Sequence, residues 1–312
     1  MVTKADILQA EKRIRPYIRE TWLEPSPLGN SALVKLENVQ HTGSFKVRGA
    51  VNKLLCLTSE QRSKGVITAS TGNHGAAVAY GLKILGIKGS IIVPENASAT
   101  KVEAVRRLGA EIIVEGDDGV IAERYARSRA EERDLTYISP YNDAEVIAGQ
   151  GSIGVELARQ LEDIDAVFVA LGGGGLISGV ATYLKSVSPK TKIIGCSPEN
   201  SAVMRESVKA GKILALESKP TLSDGTAGGV EEGAVTFEIV KNLVDDYVTV
   251  SETEIKEAIK TFIHLHHMLI EGAAGVVVAA YLKEQRRFAG KNVVLIICGA
   301  NIGLKDLSKV LG

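Results

Sequence analysis

The stretch Ala166–Leu184, AVFVALGGGGLISGVATYL, decides the fold. It carries no charge over nineteen residues, close to the length of a membrane span. Its interior argues otherwise. Val167–Ala170 is a short apolar run of strand length, Gly172–Gly175 interrupt it, and helical spacing resumes from Leu176. The stretch therefore predicts a strand, a tight turn and a helix rather than a span, and no membrane partner is expected.

Runs of the same kind lie on both sides of it. Val66–Ala69, Ser90–Val93, Glu111–Val114 and Thr136–Ser139 form one series; Val167–Ala170, Ile193–Cys196, Tyr247–Val250 and Val293–Cys298 form a second. Nearly all their residues are apolar, as strands covered on both faces require. Helical patterns separate them, among them 76–85, 99–108, 120–132 and 252–267. Alternation of strand and helix predicts an α/β protein with two lobes, each an open, mostly parallel twisted sheet flanked by helices. Ligands of such sheets bind at the carboxyl ends of the strands.

Composition narrows the function. The 312 residues carry 37 Lys+Arg and 37 Asp+Glu, so no basic excess exists to neutralise phosphates, and nucleic acid is not an expected partner. Three cysteines without a CxxC pair point to a reducing compartment, most simply the cytosol. No metal site is expected. His264, His266 and His267 are read as one helix in which only His264 and His267 share a face.

Four segments carry chemistry. In His41-Thr-Gly-Ser44-Phe45-Lys46, a turn precedes a helical pattern over 45–57, with Ser44 a candidate N-cap. Lys46 then sits in the first helical turn, where the positive end of the dipole disfavours an ammonium and favours a nucleophilic amine. The competing reading is a surface lysine. Thr68-Ala-Ser70-Thr71-Gly72-Asn73-His74-Gly75 follows a strand and opens a helix, so it offers N–H groups and small side chains to an anion; the alternative is a capped turn with His74 merely packed. Gly172–Gly175 cradle an oxyanion group through backbone N–H groups. The spacing of Gly173, Gly175 and Gly179, with Glu199 after the next strand, also leaves a dinucleotide site open. Cys298, in Ile297-Cys-Gly-Ala-Asn301, sits where strand ends meet a cleft, as a donor to a heterocycle nitrogen or as a small core residue.

Taken in order, SFKVRGA, STGNHG, GGGGL and ICGAN resemble the fold-type II pyridoxal-phosphate enzymes, within them the serine/threonine dehydratase and serine racemase group, over residues 15–305. Val93-Pro94, Lys101, Gly109-Ala110, Ser223-Asp224-Gly225 and Glu271 with Gly272–Gly275 match as well. The resemblance implies the tryptophan synthase β-like fold, with a small mobile domain at 65–142 inside a large one made of 1–64 and 143–312. It implies pyridoxal 5'-phosphate as cofactor, held by Lys46 in a Schiff base. Phe45 would pack near its ring, Asn73 would bond its 3-oxygen, and Gly172, Gly173, Gly174 and Gly175 would bind its phosphate. Gly225 and Glu271 would line its site, and Cys298 would face its ring nitrogen. Ser70, Thr71, Gly72 and His74 would receive the substrate carboxylate, and Thr71 is a further catalytic candidate. A thiol at the ring nitrogen strengthens the electron sink less than a carboxylate does, which favours prompt β-elimination.

The activity implied is dehydration of a β-hydroxy amino acid, L-threonine or L-serine by default, to a 2-oxo acid and ammonia. The alternatives are a serine racemase, a 3-hydroxyaspartate dehydratase, a nicotinamide-dependent dehydrogenase and an inert binding protein. Ser197 and Val203 stand where cation-dependent racemases carry Glu and Asp, and Thr71 stands where racemases carry serine, so the racemase is the weaker reading. The chain ends at Gly312, so no C-terminal regulatory domain is expected. Homodimers or homotetramers are the family's usual assemblies.

Overall fold

The computed structural model describes residues 2–312 apart from Ser98, and for Ala99, Thr100, Lys101 and Ala104 the backbone alone. The Lys101 side chain, one of the family matches, therefore lies outside the described residues.

Among the described residues, ten strands form two sheets. They are β1 Leu23–Pro25, β2 Ala32–Lys35, β3 Val66–Ala69, β4 Gly89–Val93, β5 Glu111–Val114, β6 Thr136–Tyr137, β7 Ala166–Ala170, β8 Lys192–Pro198, β9 Asp246–Val250 and β10 Val293–Ile296. One sheet runs β1-β2-β10-β7-β8-β9 and the other β5-β4-β3-β6. All pairs are parallel except β1 with β2. The eight predicted runs are all strands, although Thr136–Ser139 shortens to Thr136–Tyr137 and the last run stops at Ile296. The strands β1 and β2 escaped the sequence reading. Each is short, and Pro25 cannot donate to a ladder, which confines β1 to a sheet edge. Pairing with β10 makes β2 a strand, and no local pattern announces it.

The Ala166–Leu184 stretch folds as β7, a glycine turn and the helix Gly175–Val187. Every residue of β7 is buried, which explains its uniform apolarity. No described helix is long and apolar enough to cross a membrane. The larger core surrounds the six-stranded sheet; two smaller clusters cover the faces of the four-stranded one.

Beneath the larger sheet lies a buried cluster of four charges. Arg48 Nε donates to Glu37 Oε2 at 2.7 Å, and Arg48 Nη1 donates to Glu156 Oε1 at 2.6 Å. Lys35 Nζ donates to Glu156 Oε2 at 2.6 Å. Two cations and two anions cancel; Ser152, Gln160 and the Thr21 and Arg19 carbonyls accept further hydrogen bonds from the cations, and the Thr21 hydroxyl and N–H donate to the glutamates. Such a cluster adds little net stability as a whole, but losing one member leaves an unpaired charge. It fixes the helix Lys46–Cys56, which begins on Lys46.

Candidate active site

A cavity of about 930 Å³ lies between the sheets. Its wall collects the four segments singled out in the sequence: Phe45 and Lys46, 70–74, 172–176, and Glu271 with Cys298 and Asn301. Gly225 lines it too. The helices Asn73–Leu85 and Gly175–Val187 both start at this wall, so two sets of N-terminal N–H groups face one volume.

Lys46 donates from Nζ to the Pro140 carbonyl at 3.0 Å. Part of its surface opens onto the cavity, while the amine lies deep among protein atoms. Burial pushes its pKa down to about 8, against the upward pull of Cys298 and Glu271. A measurable fraction is therefore the neutral nucleophile near neutral pH. The N-cap of its helix is Phe45, without a side-chain hydrogen bond, and the Ser44 hydroxyl is buried without a partner. Ser44 is thus not the cap; its backbone instead bridges Gly299 in the strand-end turn that carries Cys298.

Asn73 donates from Nδ2 to both Glu271 oxygens, at 2.8 and 2.9 Å, and accepts from Asn301 Nδ2 at 2.6 Å. The Asn301 backbone N–H donates to Glu271 at 3.1 Å. This chain locks the first turn of one helix to the start of another, Gly272–Glu284. Cys298 is 1% exposed, and burial followed by the Glu271 carboxylate holds its thiol well above the ordinary range. It stands in the cavity as a neutral S–H.

His74 is committed elsewhere. Its Nε2 bonds the Ile138 carbonyl at 2.9 Å, and burial followed by the Lys46 charge pushes its pKa down to about 3. What His74 lends the cavity is a helix-terminal backbone, not a positive ring. Ser70 accepts from the Gly72 N–H at 3.2 Å and, with Thr71 and Gly72, lines the same wall.

The glycine run is required by space. A Cβ on Gly172 would lie 2.8 Å from the Thr226 backbone, and Gly174 has φ +88°. The Gly173 carbonyl accepts from Thr236 Oγ1 at 2.7 Å. Glu199 begins a separate 3-10 turn after β8. Ser197, weighed against a cation ligand, donates its hydroxyl to the Leu171 carbonyl at 2.8 Å. The three-histidine helix needs correction: the helix ends at His266, and His267 is its left-handed C-cap, so His264 and His267 share no helical face. His266 instead bonds Ser26 Oγ and stacks on Phe262.

Sequence reasoning missed Pro140, Tyr141, Thr226 and Glu231 at this cavity, and Asn142 that bonds Glu231 behind it. A Cβ on Gly173 would lie 2.6 Å from the Tyr141 ring, so that ring closes over the cradle. No motif marks these residues; only Pro140-Tyr141, between a strand and a helix, hinted at a turn.

A buried amine, a neutral thiol, an Asn–Glu pair and two helix N-termini around one cavity fit a ligand bearing an aldehyde, a heteroaromatic ring and a phosphate. The chain belongs to the pyridoxal-phosphate dependent enzymes, whose family model matches residues 14–299. The dehydrogenase reading of the glycine spacing falls with that assignment. An L-threonine ammonia-lyase of Thermotoga maritima is 40% identical over 100% of this chain and 78% of its own length. The fold is similar to maize serine racemase, with TM-score 0.93, 34% identity and coverage of 99% and 97% of the two chains. It is similar to threonine deaminase isoform 2 of Solanum lycopersicum, with TM-score 0.93, 37% identity and coverage of 98% and 90%.

Proposed function

We propose that this enzyme is an ammonia-lyase that dehydrates L-threonine or L-serine to a 2-oxo acid and ammonia. The observation that carries the reading is the buried Lys46 amine, facing the glycine run and the start of the helix Asn73–Leu85 across one cavity. Bound there, pyridoxal phosphate supplies an aldehyde for covalent attachment and a conjugated ring that accepts the electrons of a broken Cα–H bond.

The protein's residues supply the rest. Lys46 would hold the cofactor through its amine, and as a neutral amine it would take the Cα proton. Gly172–Gly175 hold the phosphate at a helix N-terminus, with Phe45, Asn73, Gly225, Glu271 and Cys298 around the ring. Ser70, Thr71, Gly72 and the N–H groups by His74 receive the substrate carboxylate. The Cα proton and the β-hydroxyl would leave together as one water, and the released enamine would take up water to give oxo acid and ammonia.

The described side chains of the lining support a neutral substrate. Its acids are Asp118, Glu123, Asp224, Glu231 and Glu271, and its charged base is Lys46. A second substrate carboxylate, as in 3-hydroxyaspartate, would find no cation among the described lining residues beyond Lys46, which would be committed to the cofactor. Thr71 at the wall keeps racemisation as the second reading.

The test incubates purified holoenzyme with L-threonine, L-serine and 3-hydroxyaspartate, measuring oxo acid, ammonia and the chirality of residual substrate. Oxo acid from the first two supports the reading; racemisation without elimination, or preference for hydroxyaspartate, defeats it. Retained activity in Lys46→Ala would also defeat it. The proposal extends to a small unit at 65–142 that moves against the rest, to a cytosolic setting consistent with the free Cys56, Cys196 and Cys298, and to a homodimer or homotetramer. Light scattering tests the assembly.

A further inference from the structure

The segment Ala227–Ala234 roofs the cavity between β8 and β9, and Gly228–Glu231 line it. Gly228 at φ +118° and Gly233 at φ +71° bracket Glu231. Opposite stands Arg127, on the helix Gly119–Arg133 that packs against the four-stranded sheet. Arg127 is held by its own side of the cavity. Its Nε and Nη2 donate to Glu123 at 2.9 and 2.7 Å, and its guanidinium lies 4.3 Å over the Tyr137 ring. Its Nη2 also reaches Glu231 Oε1 at 2.9 Å.

Glu231 ties the loop to a third element, the chain that crosses from β6 back to the larger sheet. Its other oxygen accepts from Asn142 Nδ2 at 2.9 Å, and its backbone N–H donates to the Tyr141 hydroxyl at 2.9 Å. Asn142 Oδ1 accepts in turn from the Val235 N–H. The Tyr141 ring closes over Gly173, and the Pro140 carbonyl takes the Lys46 amine. One carboxylate on a glycine-bracketed loop thus meets both sheets' units and the segment touching the reactive lysine.

We propose that Glu231 is a positioning residue, a latch that engages Arg127 and Asn142 to hold the cavity mouth closed and so sets how well substrate is retained. The proposal rests on the reading above only for its kinetic arm. The preset catch keeps the cost of closing low, since Arg127 is ordered before Glu231 arrives. Arg127 meets Glu231 Oε1 as an ion pair without hydrogen-bond geometry, between side chains 39% and 26% exposed, which keeps the latch weak enough to open.

The test compares the holoenzyme with Glu231→Gln, Arg127→Gln and their double variant. Hydrogen exchange of segment 227–234, without substrate, should quicken by about fivefold in each single variant and no further in the double. KM for L-threonine should rise by about fivefold in each, with kcat changed by less than about twofold. Unchanged exchange, additive effects in the double variant, or faster exchange with unchanged KM each overturn the latch. A wild-type enzyme inactive on every hydroxy amino acid defeats the functional reading instead, and the exchange arm still judges the latch.

Discussion

Replacing Lys46 by Met should stabilise the cofactor-free protein at neutral pH, at the expense of all turnover. The lysine's pKa falls from its ordinary 10.5 in the unfolded chain to about 8 in the folded one, chiefly through burial. Below pH 8 the amine is charged in both states, and the full cost of burying that charge is present. Between 8 and 10.5 the folded amine is neutral while the unfolded one is still charged, so the cost fades as pH rises. The difference corresponds to on the order of 3 kcal/mol, less whatever water in the cavity recovers. Loss of the hydrogen bond to Pro140 returns about 1 kcal/mol. Lys46→Met should therefore gain about 1–2 kcal/mol at pH 7, or roughly 2–3 °C in Tm for a chain of 312 residues. Urea unfolding of both cofactor-free proteins at pH 7 and pH 10.5 checks it. A variant less stable than wild type at pH 7, or a gain undiminished at pH 10.5, would refute the account of a strained, buried amine.

Three further outcomes follow from the same structure. Glu156→Gln leaves one net positive charge buried in the four-charge cluster and should lose about 3–5 kcal/mol in urea unfolding, much of it recovered when Lys35→Met restores the balance. Gly172→Ala puts a Cβ 2.8 Å from the Thr226 backbone and should weaken cofactor binding by about tenfold, read by absorbance titration; undiminished affinity would mean the cradle is looser than its spacing. The pH profile of kcat/KM should show no inflection near 6.5 from His74, whose pKa lies near 3, and an inflection there that vanishes in His74→Gln would contradict its assignment as a neutral ring.

The glycine run, Lys46 and the strand–helix alternation were legible in the sequence because each is local. A strand's apolar run and a helix's spacing are set by residues within a few positions, and four adjacent glycines have little use but close backbone approach. Hence the eight strands of the two parallel series, and the four segments that meet at the cavity, were in view from residue order, while Tyr141, Thr226 and Glu231 of the same wall were not. Ser44 and His267 show where local reading fails: a serine before a helix suggests a cap, and a histidine after a helix suggests one more turn, until the backbone turns otherwise.

Only the folded chain decided which distant groups meet. Asn73 and Glu271 are 198 residues apart, and Arg48 and Glu156 are 108 apart. Glu231 looks in sequence like any solvated acid beside another. Its meeting with Arg127 and Asn142 depends on how the two sheets stack. Charge complementarity acts through space with no period along the chain, so it leaves no trace in sequence order. Local geometry wrote the elements and the reactive amine into the sequence; the pairing of charges across the cavity belongs to the tertiary structure.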